Sequence, residues 1–279
     1  MTNVLVVIHP GRADAAELGA DLIESLHQRG HATVTADELA AGDAYRSELG
    51  LVVSLGGDGT MLRSVNLLGG APVPLLGVNM GRLGYLTEVE PPQVHEAIER
   101  FERGAEAGEW QIDERMMLDI AVTDPAGNAA GSYRALNEAV VEKREPGHTV
   151  NLLASIDSVP FTSYAADGLI VATPTGSTAY SLSARGPIVS PKHRALLLTP
   201  VAPHMLFDRT LVLDPTERID IEVIGDREAS IAVDGQPNGV LSPGAVVSCT
   251  PSAATARFIR FGGHSYHLVL KSKFGLSDR

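Results

Sequence analysis

Three glycines enclose one aspartate where an apolar strand-like run ends. The run Leu51–Leu55 is followed by Gly56, Gly57, Asp58, Gly59 and Thr60. Glycine can adopt positive φ and, lacking a Cβ, lets a ligand approach the backbone. Thr60 is predicted to cap a helix running to Leu68, whose free N–H groups favour an anion. A carboxylate repels phosphate unless it binds a metal ion or accepts a proton. The segment therefore indicates phosphoryl transfer at a hydroxyl group, with a tight turn and a solvated aspartate as the alternative.

This glycine arrangement differs from two familiar nucleotide-binding motifs. No Gly-Lys-Ser/Thr follows at P-loop spacing, and Gly-x-Gly-x-x-Gly is absent. Arg63 lies five residues after Asp58 on the predicted helix and could approach a phosphate there. An exposed helical arginine is the alternative interpretation.

A second apolar run, Leu169–Ala172, leads into a turn that is rich in hydroxyl groups. These groups belong to Thr173, Thr175, Ser177 and Thr178. Ser177 or Thr178 is predicted to cap a helix that ends before Gly186. Hydroxyls and free N–H groups suit ribose or phosphate oxygens, although such caps also occur for structural reasons.

Two further segments contain candidate binding groups. Asn137 and Glu138 lie inside the apolar run Leu136–Val141, and neighbouring strand residues point to opposite faces. At least one of them therefore needs a polar partner, which a ribose diol, a metal ion or water at a strand end would supply. Gly77–Tyr85 is another glycine-rich strand exit, which we expect to face the first.

Composition limits the classes of partner. The chain has 279 residues, of which 44% are hydrophobic and 20% charged, as in soluble globular proteins. Its net charge of −12 argues against nucleic-acid binding through a general basic field. An anionic substrate would have to be held locally by backbone N–H groups, a few Lys/Arg side chains or metal ions.

Cysteine and histidine usage gives no sign of a disulfide framework or a metal site. The single cysteine, Cys249, lies in a strand-like run and is expected to be a buried apolar residue. The nine histidines show no metal-ligand spacing, so no protein metal site is predicted. The first residues resemble a strand rather than a signal peptide, and no run approaches the ~20 apolar residues of a membrane span. A cytoplasmic protein without membrane contact is expected.

The periodicity changes near residue 110. Residues 1–110 alternate between apolar strands and helices, with helices predicted at 14–29, 60–69 and 93–103, which favours an α/β domain with a mainly parallel sheet. Residues 111–279 contain short strand-like runs separated by turns, among them runs at 133–142, 245–250 and 256–261, which predicts a mostly antiparallel β domain. The extreme C-terminus could pack back on the first domain.

Taken together, these residues resemble the NAD kinase family. Gly56–Thr60 matches its diagnostic motif, Asn137-Glu138 matches its Asn-Glu pair, and Asp167-Gly168 with Thr173–Ser183 matches its second signature. Pro203-His204 and Asp234-Gly235-Gln236 resemble later landmarks. The first motif alone also occurs in diacylglycerol and sphingosine kinases, whereas the ordered series is specific and covers nearly the whole chain.

The resemblance implies phosphorylation of the adenosine 2′-hydroxyl of NAD to give NADP. Asp58 is then the general base, and Mg²⁺ or another divalent cation accompanies the donor, ATP or polyphosphate. The implied nucleotide-binding residues are Gly57, Asp58, Gly59, Arg63, Asn137, Glu138, His148, Asp167, Thr178, Ala179, Tyr180, Ser181, Leu182, Ser183 and Gln236. Relatives form homodimers or homotetramers, and the same is expected here.

Two positions depart from the family pattern. Ala165 stands where many relatives carry a basic residue, and Arg185 replaces a glycine before Gly186-Pro187.

There are two alternatives to an NAD kinase. A lipid kinase should show an apolar entrance to its site or a basic membrane-binding face, and a non-catalytic nucleotide sensor could lose Asp58.

Overall fold

The computed structural model describes residues 2–40, 46, 48–262 and 265–276. The chain divides into two units, one formed by Met1–Glu114 with Ala256–Arg279 and the other by Arg115–Thr255. The helices are α1 (Ala13–Gln28), α2 (Ala36–Ala40), α3 (Asp58–Leu68), α4 (Val94–Arg103), α5 (Tyr180–Ser183) and α6 (Tyr266–Lys273). Short 3₁₀ turns occupy Pro91–Gln93, Ala105–Ala107 and Gly176–Thr178.

The first unit is built on a parallel sheet. Its strands are β1 (Asn3–Ile8), β2 (Ala32–Thr35), β3 (Leu49–Gly56) and β4 (Pro74–Asn79), in the order β2-β1-β3-β4. Apolar residues fill both faces of β1 and β3, as expected for strands covered by helices on both sides. Buried residues of α1 and α4, including Leu22, Leu26 and Ile98, pack in the same apolar core as these strands.

The second unit is antiparallel. Its strands are β5 (Gln111–Thr123), β6 (Ala129–Ala135), β7 (Glu138–Lys143), β8 (Val150–Ile156), β9 (Val159–Ala166), β10 (Gly168–Ala172), β11 (Leu196–Val201), β12 (Leu211–Leu213), β13 (Ile219–Ile224), β14 (Ala229–Val233), β15 (Gln236–Leu241) and β16 (Val246–Arg260). Strands β5 and β16 each run through a boundary between the units, and β16 pairs in parallel with β4 through Arg257 and Phe258.

One hydrophobic core joins the two layers of the second unit. A six-stranded sheet has the order β12-β11-β10-β7-β14-β15, and β8 pairs with β9 and β13 in the other layer. Alternate residues from both layers meet in the core, for example Val141 and Val171 from one and Leu152 and Ile221 from the other. Such alternation is the period of a strand with one buried face.

The predicted fold class, a mainly parallel α/β part followed by a mostly antiparallel β part, is confirmed. Cys249 is buried in the core of the second unit, and burial raises the pKa of its thiol, as expected for a structural cysteine. In the described part of the chain, no helix is both long and apolar enough to cross a membrane.

Candidate active site

The turn around Asp58 differs locally from the sequence prediction. Helix α3 begins at Asp58, two residues earlier than predicted, and its N-cap is Gly57 with φ −116°. Thr60 is therefore inside the first helical turn, and its buried hydroxyl has no hydrogen-bond partner among the described residues. The predicted Thr60 cap is wrong, because the chain enters the helix directly from β3. Positive φ is also not used at the three glycines of the motif.

Steric space explains the three glycines instead. A Cβ at Gly56 would overlap the side chain of Thr60, so this glycine is required by internal packing. A Cβ at Gly57 or Gly59 would meet nothing within 4 Å. Since neither packing nor backbone conformation demands glycine at these two positions, they leave bare backbone at the N-terminus of an 11-residue helix. That is the arrangement expected where an anion approaches N–H groups.

The Asp58 carboxylate is held in place by two backbone amides. Its Oδ2 accepts a hydrogen bond from the Tyr85 amide at 3.0 Å, and its Oδ1 accepts one from the Leu86 amide at 2.9 Å. A Cβ at Gly84 would overlap Asp58 Oδ1, so the loop can approach the carboxylate only with glycine there. Each oxygen keeps a further lone pair that can accept a proton or contact a cation.

The two glycine-rich strand exits of the first unit lie side by side. The Met80 amide, just after β4, donates to the Gly56 carbonyl at 2.9 Å. Arg63 is exposed on α3, where five residues of helix place it about 140° around the axis from Asp58. A contact from Arg63 to a phosphate remains a prediction.

In the second unit, Asp234 organises the Asn137-Glu138 pair. Asp234 and Gly235 both have positive φ, at 46° and 74°, and form the two-residue turn between β14 and β15. The Asp234 carboxylate accepts the amides of Leu136, Asn137 and Glu138 at 2.8, 2.8 and 3.1 Å. These bonds separate β6 from β7, so the predicted continuous strand over 133–142 is interrupted at the polar pair.

Glu138 is a buried carboxyl with an unmet hydrogen-bonding capacity. It is 5% exposed, and its Oε2 has no partner within the described residues. Burial raises its pKa to about 7, the Asp234 charge adds to the effect, and a hydrogen bond from the Tyr180 amide opposes it. Burial likewise raises the pKa of Asp234, against the three amides that bind its charged form. An unpaired buried oxygen is a position at which a ligand hydroxyl can bind.

The hydroxyl-rich segment after β10 is folded tightly against this pair. Thr173 Oγ1 donates to the Leu136 carbonyl at 2.6 Å, and a Cβ at Gly176 would overlap the Asn137 carbonyl. Ser177 Oγ donates to the Pro174 carbonyl at 2.7 Å, and Thr178 Oγ1 bonds the Thr175 carbonyl at 3.3 Å. Neither side chain caps a helix, contrary to the prediction, and the segment is a 3₁₀ turn followed by the four-residue α5.

The predicted binding residues of this segment face different environments. Thr178, Ala179 and Leu182 are half-buried, whereas Tyr180 and Ser183 are exposed. The Ser181 hydroxyl is buried and pairs with Thr199 Oγ1 at 3.0 Å, so it faces the protein interior. Gln236 is exposed at the start of β15.

Asp167 is paired with a lysine that the sequence reasoning missed. Lys143 Nζ lies 2.6 Å from Asp167 Oδ1. Lys143 also lines a cavity of about 270 Å³, together with His148 and with several charged residues of the second unit. The sequence contained one sign of this ion pair, since the strand-like run 138–143 ends in a lysine.

The structure thus groups Gly57, Asp58 and Gly59 in the first unit, with Arg63 on the same helix. It groups Asn137, Glu138 and the turn at 173–178 in the second unit, and places Asp167 and His148 with Lys143. Sequence reasoning missed the roles of Gly84 and Asp234 in holding these groups. Within the described ranges, no set of three or more His, Cys, Asp or Glu residues could hold a metal ion.

Sequence profiles match both parts of the chain. The ATP-NAD kinase N-terminal domain matches residues 16–106, and the ATP-NAD kinase C-terminal domain matches residues 136–261. The NAD kinase of Heliobacterium modesticaldum is 39% identical over 284 residues, which cover 98% of each chain. The NAD kinase of Syntrophotalea carbinolica is 36% identical over 282 residues, covering 97% of this chain and 96% of the relative.

Solved structures share the fold. Yeast NADH kinase complexed with NADH has a TM-score of 0.89 at 23% identity, covering 100% of this chain and 89% of that one. An NAD kinase from Archaeoglobus fulgidus in complex with ATP has a TM-score of 0.71 at 24% identity, covering 99% and 98%. Because both domain profiles match and the two curated relatives are 36% and 39% identical over nearly the full length, this chain belongs to the ATP-NAD kinase family.

Proposed function

We propose that this protein is an NAD kinase that transfers a phosphoryl group to the adenosine 2′-hydroxyl of NAD, giving NADP. The donor is ATP or polyphosphate. Membership of the family supports the activity. The observation that carries the mechanism is the position of the Asp58 carboxylate, which two backbone amides hold in place. Asp58 itself stands between Gly57 and Gly59, which both have open space around them. Neither the lipid kinase nor the nucleotide sensor gains support from the relatives, which are named NAD kinases.

Asp58 acts as the general base. A ribose hydroxyl is a weak nucleophile, and its proton must leave as the new oxygen–phosphorus bond forms. At the same time the bond from that phosphorus to the bridging oxygen of the donor breaks and releases ADP, or a polyphosphate shortened by one unit. The carboxylate oxygens keep free lone pairs for this proton, and the two amides prevent the side chain from turning away. A positioned base contributes about 10²–10⁴-fold to the rate.

Bare backbone at Gly57 and Gly59 binds the phosphates of the donor. The free N–H groups at the start of α3 stabilise negative charge that spreads over the transferring group. Asp58 is the carboxylate of this turn that would contact a divalent cation accompanying the donor. Such a cation would supply charge neutralisation at the phosphates.

The second unit binds the dinucleotide. We assign Asn137 and Glu138 to its ribose hydroxyls because Glu138 Oε2 is buried without a partner among the described residues. Thr178, Ala179, Tyr180, Leu182 and Ser183 contact the nucleotide along the start of α5, with Ser181 contributing through its backbone, and Asp167 anchors it. His148 and Gln236 complete the proposed set, and homodimers or homotetramers are the proposed assemblies, to be checked by light scattering.

A coupled assay tests the proposal. Purified protein is incubated with NAD⁺, Mg²⁺ and either ATP or polyphosphate, and NADP⁺ is detected with a dehydrogenase that strictly requires it. NADP⁺ should form with at least one donor. Absence of NADP⁺ with both donors, accompanied by phosphorylation of a lipid, would overturn the assignment.

The Asp58→Asn variant tests the role of the base. Asparagine keeps the shape of the side chain but not its proton affinity, so turnover should fall by about 10²-fold or more while NAD binding is retained. Turnover close to that of the wild type would exclude Asp58 as the base.

A further inference from the structure

The loop that holds Asp58 is irregular and needs support of its own. The two amides that bind the carboxylate belong to Tyr85 and Leu86, in a segment without helix or strand. Strand β4 restrains the far end of this segment, because the amides of Glu88 and Val89 donate to the Gly77 carbonyl at 2.8 and 3.2 Å. These bonds are made by residues after Leu86, so they do not hold Tyr85 and Leu86 themselves.

Arg260, at the end of β16, binds this segment through its guanidinium group. Its Nη1 is 3.3 Å from the carbonyl oxygens of both Leu86 and Thr87 and 3.0 Å from Glu88 Oε2. One guanidinium nitrogen therefore contacts three consecutive residues, the first of which donates its own amide to Asp58. A continuous set of hydrogen bonds leads from Arg260 through Leu86 to the Asp58 carboxylate.

Two carboxylates balance the charge of Arg260. Its side chain is 10% exposed, that of Glu88 is 2% exposed, and Arg260 Nε is 3.2 Å from Asp113 Oδ2. Glu88 Oε1 also accepts the Phe261 amide at 2.7 Å. A buried ion pair gives little net stability compared with apolar residues of similar volume. The ion pair does fix the orientation of the Arg260 side chain, because its planar guanidinium presents several donors at once.

A second contact from the same end of the chain reaches the loop. The Tyr85 ring lies 6.0 Å from the Tyr266 ring, and Lys273 Nζ is 4.7 Å from the centre of the Tyr85 ring. Residues after β16 therefore pack against Tyr85, while Arg260 binds the residues that follow it. Both amide donors to Asp58 belong to residues supported by the C-terminal part of the first unit.

We propose that Arg260 is a positioning residue for phosphoryl transfer, which acts by holding the Tyr85–Glu88 loop so that its amides fix the Asp58 carboxylate. This inference rests on the proposed role of Asp58 as the base. The contacts of the Arg260 guanidinium are to Leu86, Thr87, Glu88 and Asp113, so its proposed action is through the loop. Its loss should reduce the rate of transfer and leave the binding of NAD and donor nearly unchanged.

Steady-state kinetics of two Arg260 variants test the proposal. In Arg260→Met, kcat should fall about 10–100-fold, because small displacements of a catalytic group have effects of this size, with KM for NAD and donor within about twofold. Arg260→Lys keeps the charge but not the fork of donors, so its kcat should lie between those of Arg260→Met and the wild type, at least about threefold below the latter.

Arg257→Met is the matched control. Arg257 lies three residues earlier on β16, 3.4 Å from Glu114 Oε1 and 3.1 Å from the Pro72 carbonyl, and it makes the same kinds of contact away from the loop. Its kcat should equal that of the wild type. An equal loss of kcat in Arg257→Met and Arg260→Met would show a general effect on the fold and overturn the proposal.

The double variant Asp58→Asn/Arg260→Met separates this inference from the proposed function. If Arg260 acts through Asp58, adding Arg260→Met to Asp58→Asn should lower kcat by less than about twofold. Effects that multiply would overturn the positioning role. If Asp58→Asn alone retains wild-type turnover, the proposed base is wrong, whatever Arg260 does.

Circular dichroism and thermal unfolding accompany each measurement. If Arg260→Met does not fold, the cycle is run with Arg260→Lys, in which the buried charges stay balanced. A lowered kcat with unchanged KM supports the proposal in that case, and a wild-type kcat overturns it.

Discussion

Asp234 and Glu138 are hydrogen-bonded to each other in both directions. The Glu138 amide donates to Asp234 Oδ1 at 3.1 Å, and the Asp234 amide donates to the Glu138 carbonyl at 3.0 Å. The turn between β14 and β15 thereby sets the position at which β7 begins. Both carboxyl groups are buried, so the hydrogen bonds that fix the backbone here come with the free-energy cost of burying two ionisable groups close together.

Asp234→Asn should weaken both stability and substrate binding. Asparagine tolerates the positive φ of this position, but its amide nitrogen cannot accept a hydrogen bond, so a backbone N–H near residue 136 loses its partner. The free energy of unfolding should fall by about 1–3 kcal/mol. Displacement of Asn137 and Glu138 should raise KM for NAD by about tenfold.

Urea unfolding and NAD kinetics measure these effects. Asp208→Asn, at an exposed aspartate of the same unit, is the control and should change stability by less than about 0.5 kcal/mol. An Asp234→Asn protein with wild-type stability and KM would show that the three amides do not need the carboxylate.

Glu138 should make stability depend on pH between 4.5 and about 7. Its pKa rises from 4.5 to about 7 on folding, so the folded protein keeps a proton that the unfolded chain releases. The contribution is fully present below pH 4.5 and is lost as pH rises to about 7, with a total on the order of a few kcal/mol.

Unfolding free energies of the wild type and Glu138→Gln across this range test the prediction. The difference between the two proteins reports Glu138 together with its coupling to Asp234, because the remaining titrating groups are common to both. Relative to the wild type, Glu138→Gln should gain stability as pH rises. A difference that is constant with pH would contradict the buried, protonated carboxyl.

Gly59→Ala should separate stability from activity. A Cβ at Gly59 meets nothing within 4 Å, and alanine favours helix over glycine by up to about 1 kcal/mol. The variant should therefore be as stable as the wild type or more stable, whereas the added methyl group blocks close approach of phosphate to the backbone. KM for ATP should rise by about tenfold or more.

Thermal unfolding and ATP kinetics are the measurements for Gly59→Ala. Gly11→Ala is a suitable control, because its Cβ would make only ordinary contacts at 3.6 Å or more. Unchanged KM for ATP in Gly59→Ala would mean that the open space at this position is not used by the donor.

Arg185→Gly should stabilise the protein. Arg185 has φ 67°, a conformation that is strained for residues with a Cβ, and its side chain is exposed. Glycine should raise the free energy of unfolding by about 0.5–1 kcal/mol, measured by thermal unfolding. Arg194→Gly, at an exposed position without positive φ, should have the opposite sign because glycine loses more entropy on folding.

Periodicity carried most of the fold prediction. Continuous apolar runs such as Leu51–Leu55 indicated parallel strands, and short alternating runs indicated the antiparallel part. Element boundaries were less accurate, because tertiary hydrogen bonds decide them. Asp234 takes the amides of residues 136–138 and splits one predicted strand, while the predicted strands at 245–250 and 256–261 lie largely within the single strand β16.

The chemistry of the site was present in the local sequence, since Gly-Gly-Asp-Gly and Asn-Glu specify residue types at fixed spacing along one chain. Only the tertiary structure decided which groups hold them. Tyr85 and Leu86 lie 27 and 28 residues from Asp58, and Asp234 lies 97 residues from Asn137. No local propensity or period encodes such pairs, because contacts between distant residues arise from the packing of whole elements.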